Sequence, residues 1–388
     1  MIERIFTLAW HPAVMPVVHA IRDIAVHDSG PRVPHPTFTL VTPAARSLPR
    51  PPLFLLGPAP EPVLFDLAAQ VDTPAVGCYT IQDALVAPTG IAIKDGTAFH
   101  GEAFLHPRHL VVAISDRVNA AGLGIVPVAG AVAVLCGPAH ETYGHWLVDF
   151  LPRLWVLHQA GHDLATLRYL VPADLRDFAR RLLRLVGIRD DQLVHYQHWQ
   201  ALLRVEQLLL PTGLRLGDRL APCFPQATRF WLARTACGSG ADPVDAGAGI
   251  YLARRHGSER RLVNRTRIEA IAGEQGLTVL HPDELALAEQ IAVFRSAAMI
   301  VGEYGSALHN AVFSGPGAVV CALRGTARHP SLVQSGIATA MGQDLGYVFG
   351  STDGTETQQA FCVAENSFTT ALELLRLRTV QVANPGLI

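Results

Sequence analysis

Lysine is nearly missing from this sequence: Lys94 is the one example in 388 residues, and the other basic residues are arginines. Charge is sparse altogether, at 16% of residues, with a formal net charge of −2. That balance excludes a general nucleic-acid binder, whose affinity would rest on a strongly basic face, and leaves anion binding to local clusters. Asp-x-Asp, the acidic pair that often cradles a divalent metal against a diphosphate, does not occur, and neither do HExxH, GxxxxGKS/T or GxSxG. The six cysteines (Cys78, Cys136, Cys223, Cys237, Cys321 and Cys362) show no CxxC or zinc-like spacing, which points to a reduced, cytoplasmic compartment. Among the seventeen histidines, the pairs His140/His145, His158/His162 and His195/His198 are not completed by a carboxylate or cysteine at ligand spacing, so no metal site is expected.

Long uninterrupted apolar runs are lacking too. Ala120 to Ala139 carries no charge, but Gly122, Gly124, Pro127, Gly130, Gly137 and Pro138 break it, so it reads as strand material around a turn and not as a membrane helix. The start of the chain has Glu3 ahead of a short apolar stretch broken by His11 and Pro12, which is not a basic-then-apolar leader, and no export is expected.

What is present is ample core. Hydrophobic residues make up 49%, and at roughly 100–200 residues per domain the length suggests two domains. Residues 1–108 are proline-rich, with PRVPHP and LPRPPLFLLGPAPEP, and read as an irregular, strand-containing portion with a short run at Phe38 to Val41. Alternation of strand and helix then begins: HLVVAI, AVAVLC, a helix over Tyr143 to Ala160, LRYLV, a helix over Leu175 to Val186, and VEQLLLP. Residues 109–215 form this first half, and 216–249, with the small polar run CGSGADPVDAGAG, read as a linker region. A second alternation fills 250–365: GIYLAR, a helix over Asn264 to Gln275, LTVLHP, a helix over Leu285 to Ser296, AAMIVG, a helix over Ser306 to Phe313, and AVVCAL. Strands alternating with helices predict α/β architecture with parallel sheets covered on both faces. Residues 366–388 end the chain with a helix presenting Leu372, Leu375 and Val380 on one side.

Three segments carry chemistry. MIVGEYGSALHNAVFS, 299 to 314, sets Glu303, Tyr304, Gly305 and Ser306 at the carboxyl end of a strand entering a helix, where doubly wound sheets keep their ligands. Small residues there admit a close backbone approach, and a helix start attracts an anion such as a diphosphate. YLARRHGSERRLVNRTR, 251 to 267, gathers Arg254, Arg255, Arg260, Arg261, Arg265 and Arg267 at another strand end, where forked guanidinium groups could clamp the same anion and Asn264 could cap the next helix. TYGHWLVDFLPRLWVL, 142 to 157, puts His145 and Asp149 four residues apart on one helical face, which suits either general-base chemistry or a structural hydrogen bond.

Taken together, GHWLVDFLPRLWVL, YLARR…RRLVNRTRIEAIAGEQG and DELALAEQIAVFRSAAMIVGEYGSALHNAVFSGPGAVV resemble glycosyltransferase family 61, including bacterial members linked to capsular or surface polysaccharide biosynthesis. The likeness runs from about 140 to 325. It implies a GT-B-like architecture, two Rossmann-like domains facing across a cleft; residues 1–108 lie outside the likeness and are expected, apart from it, to belong to the acceptor half. It implies metal-independent catalysis with no cofactor beyond a nucleoside diphosphate sugar as co-substrate. By that likeness phosphate-facing roles would fall to Arg254, Arg261, Asn264 and the Gly305-Ser306-Ala307 turn; apart from it, Glu303 or Glu289 is expected to hydrogen-bond the donor's sugar or ribose hydroxyls, and Tyr304 and Asn310 complete the expected nucleotide-sugar site. Trp146 and Arg153 would line the acceptor side. Two positions depart from the family pattern: Tyr304 stands where His is frequent, so it brings no positive charge, and Arg265 stands where Glu often follows the Asn.

The expected activity is inverting transfer from a nucleoside diphosphate sugar, with UDP the favoured nucleotide, to a saccharide or glycolipid hydroxyl. Asp149 is the candidate base and His145 orients it or takes that role itself. The alternatives are a catalytically silent nucleotide-sugar-binding subunit of a polysaccharide assembly complex, motivated by Tyr304, and a GT-B-like sugar-nucleotide epimerase or hydrolase. Expected partners are the donor and a saccharide or glycolipid acceptor, with no nucleic acid. A cytoplasmic location is expected, compatible with peripheral association at the inner face of a membrane; oligomeric state has no signature in the sequence.

Overall fold

Apolar runs bounded by glycine or polar turns become the strands of two separate sheets. The computed structural model describes residues 37–86, 90–94, 97–99, 124–137, 139–196, 201–235, 249–254, 260–325, 332–352 and 359–383. The chain divides into two units: Met1–Ala45, Asp72–Gly217 and Gln226–Thr235 form the first, and Arg46–Val71, Asp218–Pro225 and Ala236–Ile388 the second. The N-terminal portion, expected to join the first half whole, therefore lends Arg46–Val71 to the second.

The first unit is built on strands β1 (Thr37–Thr42), β2 (Val76–Val86), β3 (Ala92–Lys94), β4 (Thr97–Phe99), β5 (Gly124–Val134), β6 (Arg168–Pro172), β7 (Leu193–Tyr196) and β8 (Ala201–Pro211). Their order is β7-β6-β5-β8-β2-β3-β4, with β1 on β2. Strands β7, β6, β5 and β8 run parallel, and the β2 side is antiparallel. Val132, Val134, Leu170, Val205, Leu208 and Tyr79 meet in its core. Among the described residues of Ala120 to Ala139 no turn interrupts β5, which runs from Gly124 to Val134 with a register shift against β8 and a left-handed Gly130 at φ +73°. The strand expected at HLVVAI lies outside the described residues.

The second unit holds β9 (Ile250–Leu252), β10 (Arg260–Leu262), β11 (Thr278–Leu280), β12 (Met299–Glu303), β13 (Val319–Gly325), β14 (Asp344–Thr352) and β15 (Gln359–Cys362), ordered β10-β15-β14-β13-β12-β9-β11, with the short strand Leu55–Leu56 also pairing β14. From β14 to β11 every pairing is parallel. Central strands buried on both faces need continuous apolar sequence, and MIVGE and VVCALR are buried at every position. Helices Arg265–Glu274 and Glu365–Ala383 cover one face through Ile268, Ile271, Phe368, Leu372 and Leu375. The final helix is thus part of this core; its Val380, expected beside Leu372 and Leu375, is exposed.

Two other expectations change. Within 216–249, expected as linker, Phe224–Ala233 is a helix with buried Phe224, Ala227 and Trp231. After β12 the expected helix is a 3₁₀ helix, Leu308–Phe313, too short to carry much dipole. Among the described residues no helix is long and apolar enough to cross a membrane.

Gly302 has no room for a side chain, because a Cβ there would lie 2.8 Å from Leu252 Cβ on the neighbouring strand. Gly302→Val should therefore overpack the β9–β12 contact and lower unfolding free energy by about 2 kcal/mol, measured by urea denaturation; unchanged stability would contradict this packing.

Candidate active site

In the first unit, the helical segment after β5 is not uniform. Tyr143–His145 is α-helical, Trp146–Phe150 opens into a π turn with the Leu151 N–H donating to the Trp146 carbonyl at 2.9 Å, and Arg153–Gln159 resumes the α-helix after Pro152. Pro152 has no N–H to give, and the wide turn accommodates it. His145 and Asp149 still meet, as the sequence spacing predicts: Nδ1 lies 2.6 Å from Asp149 Oδ2. The carboxylate is buried, and the imidazole side chain is 28% exposed.

Arg215 completes this group. Its Nε and one terminal nitrogen donate to Asp149 Oδ1 and Oδ2 at 2.7 and 2.9 Å, and its other terminal nitrogen donates to the Gly217 carbonyl at 2.8 Å. Burial alone would raise the Asp149 carboxyl pKa, but Arg215 and the hydrogen bond from His145 outweigh it and hold the group well below the usual carboxylate range. An ionised carboxylate only accepts, so His145 carries its proton on Nδ1 and Nε2 becomes the basic nitrogen. Asp149, expected as the base, has both oxygens committed and is set to hold His145 instead. Nothing in the sequence pointed to Arg215, which is 66 positions from its partner.

Trp146 and Arg153, expected on the acceptor side, are core residues. The Trp146 indole donates to the His140 carbonyl at 2.7 Å, and the Arg153 guanidinium lies 5.3 Å from the Phe150 ring centroid; both side chains are buried.

In the second unit, the stretch Glu303 to Ala307 leaves the carboxyl end of β12. Gly305 has φ +155°, and a Cβ there would lie 3.0 Å from the Arg254 guanidinium carbon, so Arg254 crosses directly over this turn. Sequence reasoning placed these two together. Ser306 and Ala307 remain partly exposed beside them. Tyr304 is buried, with its N–H bonded to the Leu323 carbonyl at 2.7 Å.

The remaining candidates are engaged in structure. Glu303 accepts from Arg265 at 2.7 and 3.3 Å in a buried pair, so the two residues compensate one another. Asn264 does not cap its helix: its amide donates to the Val363 carbonyl at 2.7 Å and accepts from the Val363 N–H at 3.2 Å. Exposed Glu289 caps the helix Leu287–Ser296 by accepting from the Ala286 N–H at 2.7 Å, and buried Asn310 donates to Gln290 at 3.0 Å. Of the arginine cluster, the described side chains of Arg254, Arg265 and Arg267 go to different partners. Arg267 pairs with Glu365 and Glu274 at the surface, Arg261 sits on the edge strand β10 opposite Ala360, and Arg255 lies outside the described residues.

Both groups of residues fall inside one matched stretch: residues 143–321 match the Glycosyltransferase 61 family model. Over this segment the chain is similar to glycosyltransferase family 61. No curated protein matches the chain. The matched segment holds His145, Asp149, Arg215, Arg254, Glu303 and Gly305; it ends before Arg324.

Across the start of the matched segment, with His140 and Glu141 ahead of it and Asp174 within it, the fold gathers a donor set that spacing did not show. His140, Glu141 and Asp174 bring ligand atoms within 4.8 Å of one another, His140 Nε2 lying 3.5 Å from Asp174 Oδ1. One imidazole and two carboxylates suit a divalent ion, although Arg176, 3.7 Å from Glu141, competes for that carboxylate.

Asp149→Asn should cost about 3 kcal/mol of stability by leaving Arg215 buried without its counter-charge. Because the native pKa is depressed, Asp149 stabilises the fold above its unfolded value near ~4 and loses that contribution as pH falls towards the native one. Urea unfolding at several pH values should therefore show the deficit of the variant narrowing below about pH 4. A constant deficit would contradict the assignment.

Proposed function

We propose that this chain is an inverting glycosyltransferase that moves a sugar from a nucleoside diphosphate sugar, most simply a UDP-sugar, to a hydroxyl of a saccharide or glycolipid in surface polysaccharide assembly. In this reading the units are the acceptor and donor halves of a GT-B enzyme. The observation that carries the proposal is the Arg215–Asp149–His145 relay, a buried ion pair holding a partly exposed imidazole, inside the segment that matches family 61. An imidazole fixed by an ionised carboxylate is suited to take a proton from a neutral hydroxyl, which a carboxylate clamped by arginine is not.

The reaction follows from these roles. His145 Nε2 takes the acceptor hydroxyl proton as that oxygen forms its bond to the anomeric carbon. The bond from that carbon to the diphosphate breaks on the opposite face, its electron pair leaving with the diphosphate, so configuration inverts. Arg254 at the Gly305 turn would neutralise the charge developing on the leaving group, with Arg261, Ser306 and Ala307 as further donor contacts. The arginine supplies the electrostatic role for which metal-dependent transferases use a cation, and the missing Asp-x-Asp supports a reaction that needs none.

The test is turnover of UDP-, GDP- and CDP-sugars with saccharide acceptors in EDTA, read as nucleoside diphosphate release and product configuration. His145→Gln should lower kcat at least ~100-fold, within the range for loss of a general base, while nucleotide affinity stays within about twofold. Equal turnover by the variant would remove His145 from the mechanism. Donor cleavage independent of any acceptor would favour a hydrolase.

A further inference from the structure

Arg324 lies at the carboxyl end of β13, just past the family 61 segment, and is buried. It belongs to a row of three side chains crossing three adjacent strands. In the register of β13 and β14, Arg324 is opposite Phe349, and its guanidinium carbon lies 5.7 Å from that ring centroid. On the other side Tyr304 continues β12 beyond the pairing of Glu303 with Leu323, and its ring centroid is 5.1 Å from the same carbon. The two aromatic rings hold the guanidinium by cation–π attraction.

The strand order gives this row its meaning. β12 lies between β9 and β13, and the chain leaving it makes the Tyr304–Gly305 turn. Arg254 reaches this turn from the β9 side and touches Gly305, while Arg324 reaches it from the β13 side and touches Tyr304. Two arginines thus flank one glycine-containing turn at the carboxyl ends of parallel strands, the place where such sheets bind ligands. Resting on the transferase reading above, we propose that Arg324 is a second diphosphate-binding residue, clamping the leaving group across the turn from Arg254, and that Tyr304 and Phe349 position it.

The chemistry is that of planar guanidinium groups meeting phosphate oxygens in forked pairs, one on either side of a diphosphate. Asp218 shares these surroundings: burial is what chiefly pushes the Tyr347 hydroxyl pKa up, and of the nearby charges Arg324 lowers it while Asp218 raises it. An alternative role for Arg324, bracing the fold through Asp218, makes a different prediction and can be separated from anion binding.

The experiment is isothermal titration of the full chain with UDP, GDP and CDP in EDTA at two salt concentrations, using wild type, Arg254→Ala, Arg324→Gln, Arg324→Lys, Tyr304→Phe and Asp218→Asn. The expected result is that Arg324→Gln weakens the bound nucleotide at least ~10-fold and flattens the salt dependence, while Arg324→Lys weakens it less. Tyr304→Phe, which keeps the ring, should stay within about twofold, and Asp218→Asn should bind as wild type or more tightly. Should Arg324→Gln fail to fold, Arg324→Lys decides, and wild-type affinity in it would overturn the assignment. Loss of binding by Arg254→Ala but not by folded Arg324→Gln would overturn the Arg324 role alone, as would equal losses in Asp218→Asn and Arg324→Gln. No nucleotide binding by wild type would remove the donor-site reading and the Arg324 role with it.

Discussion

The forked contact between Arg215 and Asp149 is the constraint on which the proposed chemistry depends. A carboxylate out of water is costly unless it is met by charge and hydrogen bonds, and here two guanidinium nitrogens and an imidazole meet both oxygens. Fixing that carboxylate in its ionised form fixes the tautomer of His145. The π turn is the local means of doing so, since it carries the backbone past Pro152 while keeping positions 145 and 149 in contact. The second unit uses a related device at the end of β12, where Arg265 and Glu303 form a buried pair below the Tyr304–Gly305 turn. In both places an arginine–carboxylate pair stabilises the backbone that presents a functional group, and the carboxylate itself is the support.

This explains which site residues could be read from the sequence. Pairs set by local periodicity were accessible: His145 with Asp149 follows from helical spacing, and the turn after β12 follows from glycines ending an apolar run. Arg254 was reachable because it ends a strand. Arg215 was not, since its partner is set by tertiary folding across 66 positions, and an arginine beside Gly213 and Gly217 looks like any turn residue. Arg324 left a faint signal, a charge directly after the buried run of β13, which marks a strand end but not what the strand end faces. Glu303, Asn264, Glu289 and Asn310 were polar groups near a predicted ligand site, and the fold uses them for ion pairing, bridging and capping.

The architecture was legible for the same physical reason. Continuous apolar strands separated by amphipathic helices have few arrangements other than parallel sheets, and β9 and β11 to β13 lie where that rhythm puts them, while β14 was not expected. The errors concern elements whose pattern is ambiguous. A glycine- and proline-broken segment became the long strand β5, because Gly130 absorbs a register shift where a turn was expected. The helix Phe224–Ala233 was hidden in a region assigned to linker by its small polar neighbour. Arg46–Val71 joined the second unit because Leu55–Leu56 adds a strand beside β14, a long-range pairing with no local signature.

The most direct test of this account is the tautomer of His145, read from its ring-nitrogen chemical shifts in ¹⁵N-histidine-labelled protein and assigned with His145→Gln. If the Arg215–Asp149 pair governs the site, neutral His145 carries its proton on Nδ1, with Nε2 unprotonated and available to an acceptor hydroxyl. A spectrum with the proton on Nε2 would mean that Asp149 does not hold the imidazole as an ionised acceptor, and the proposed base would be wrong.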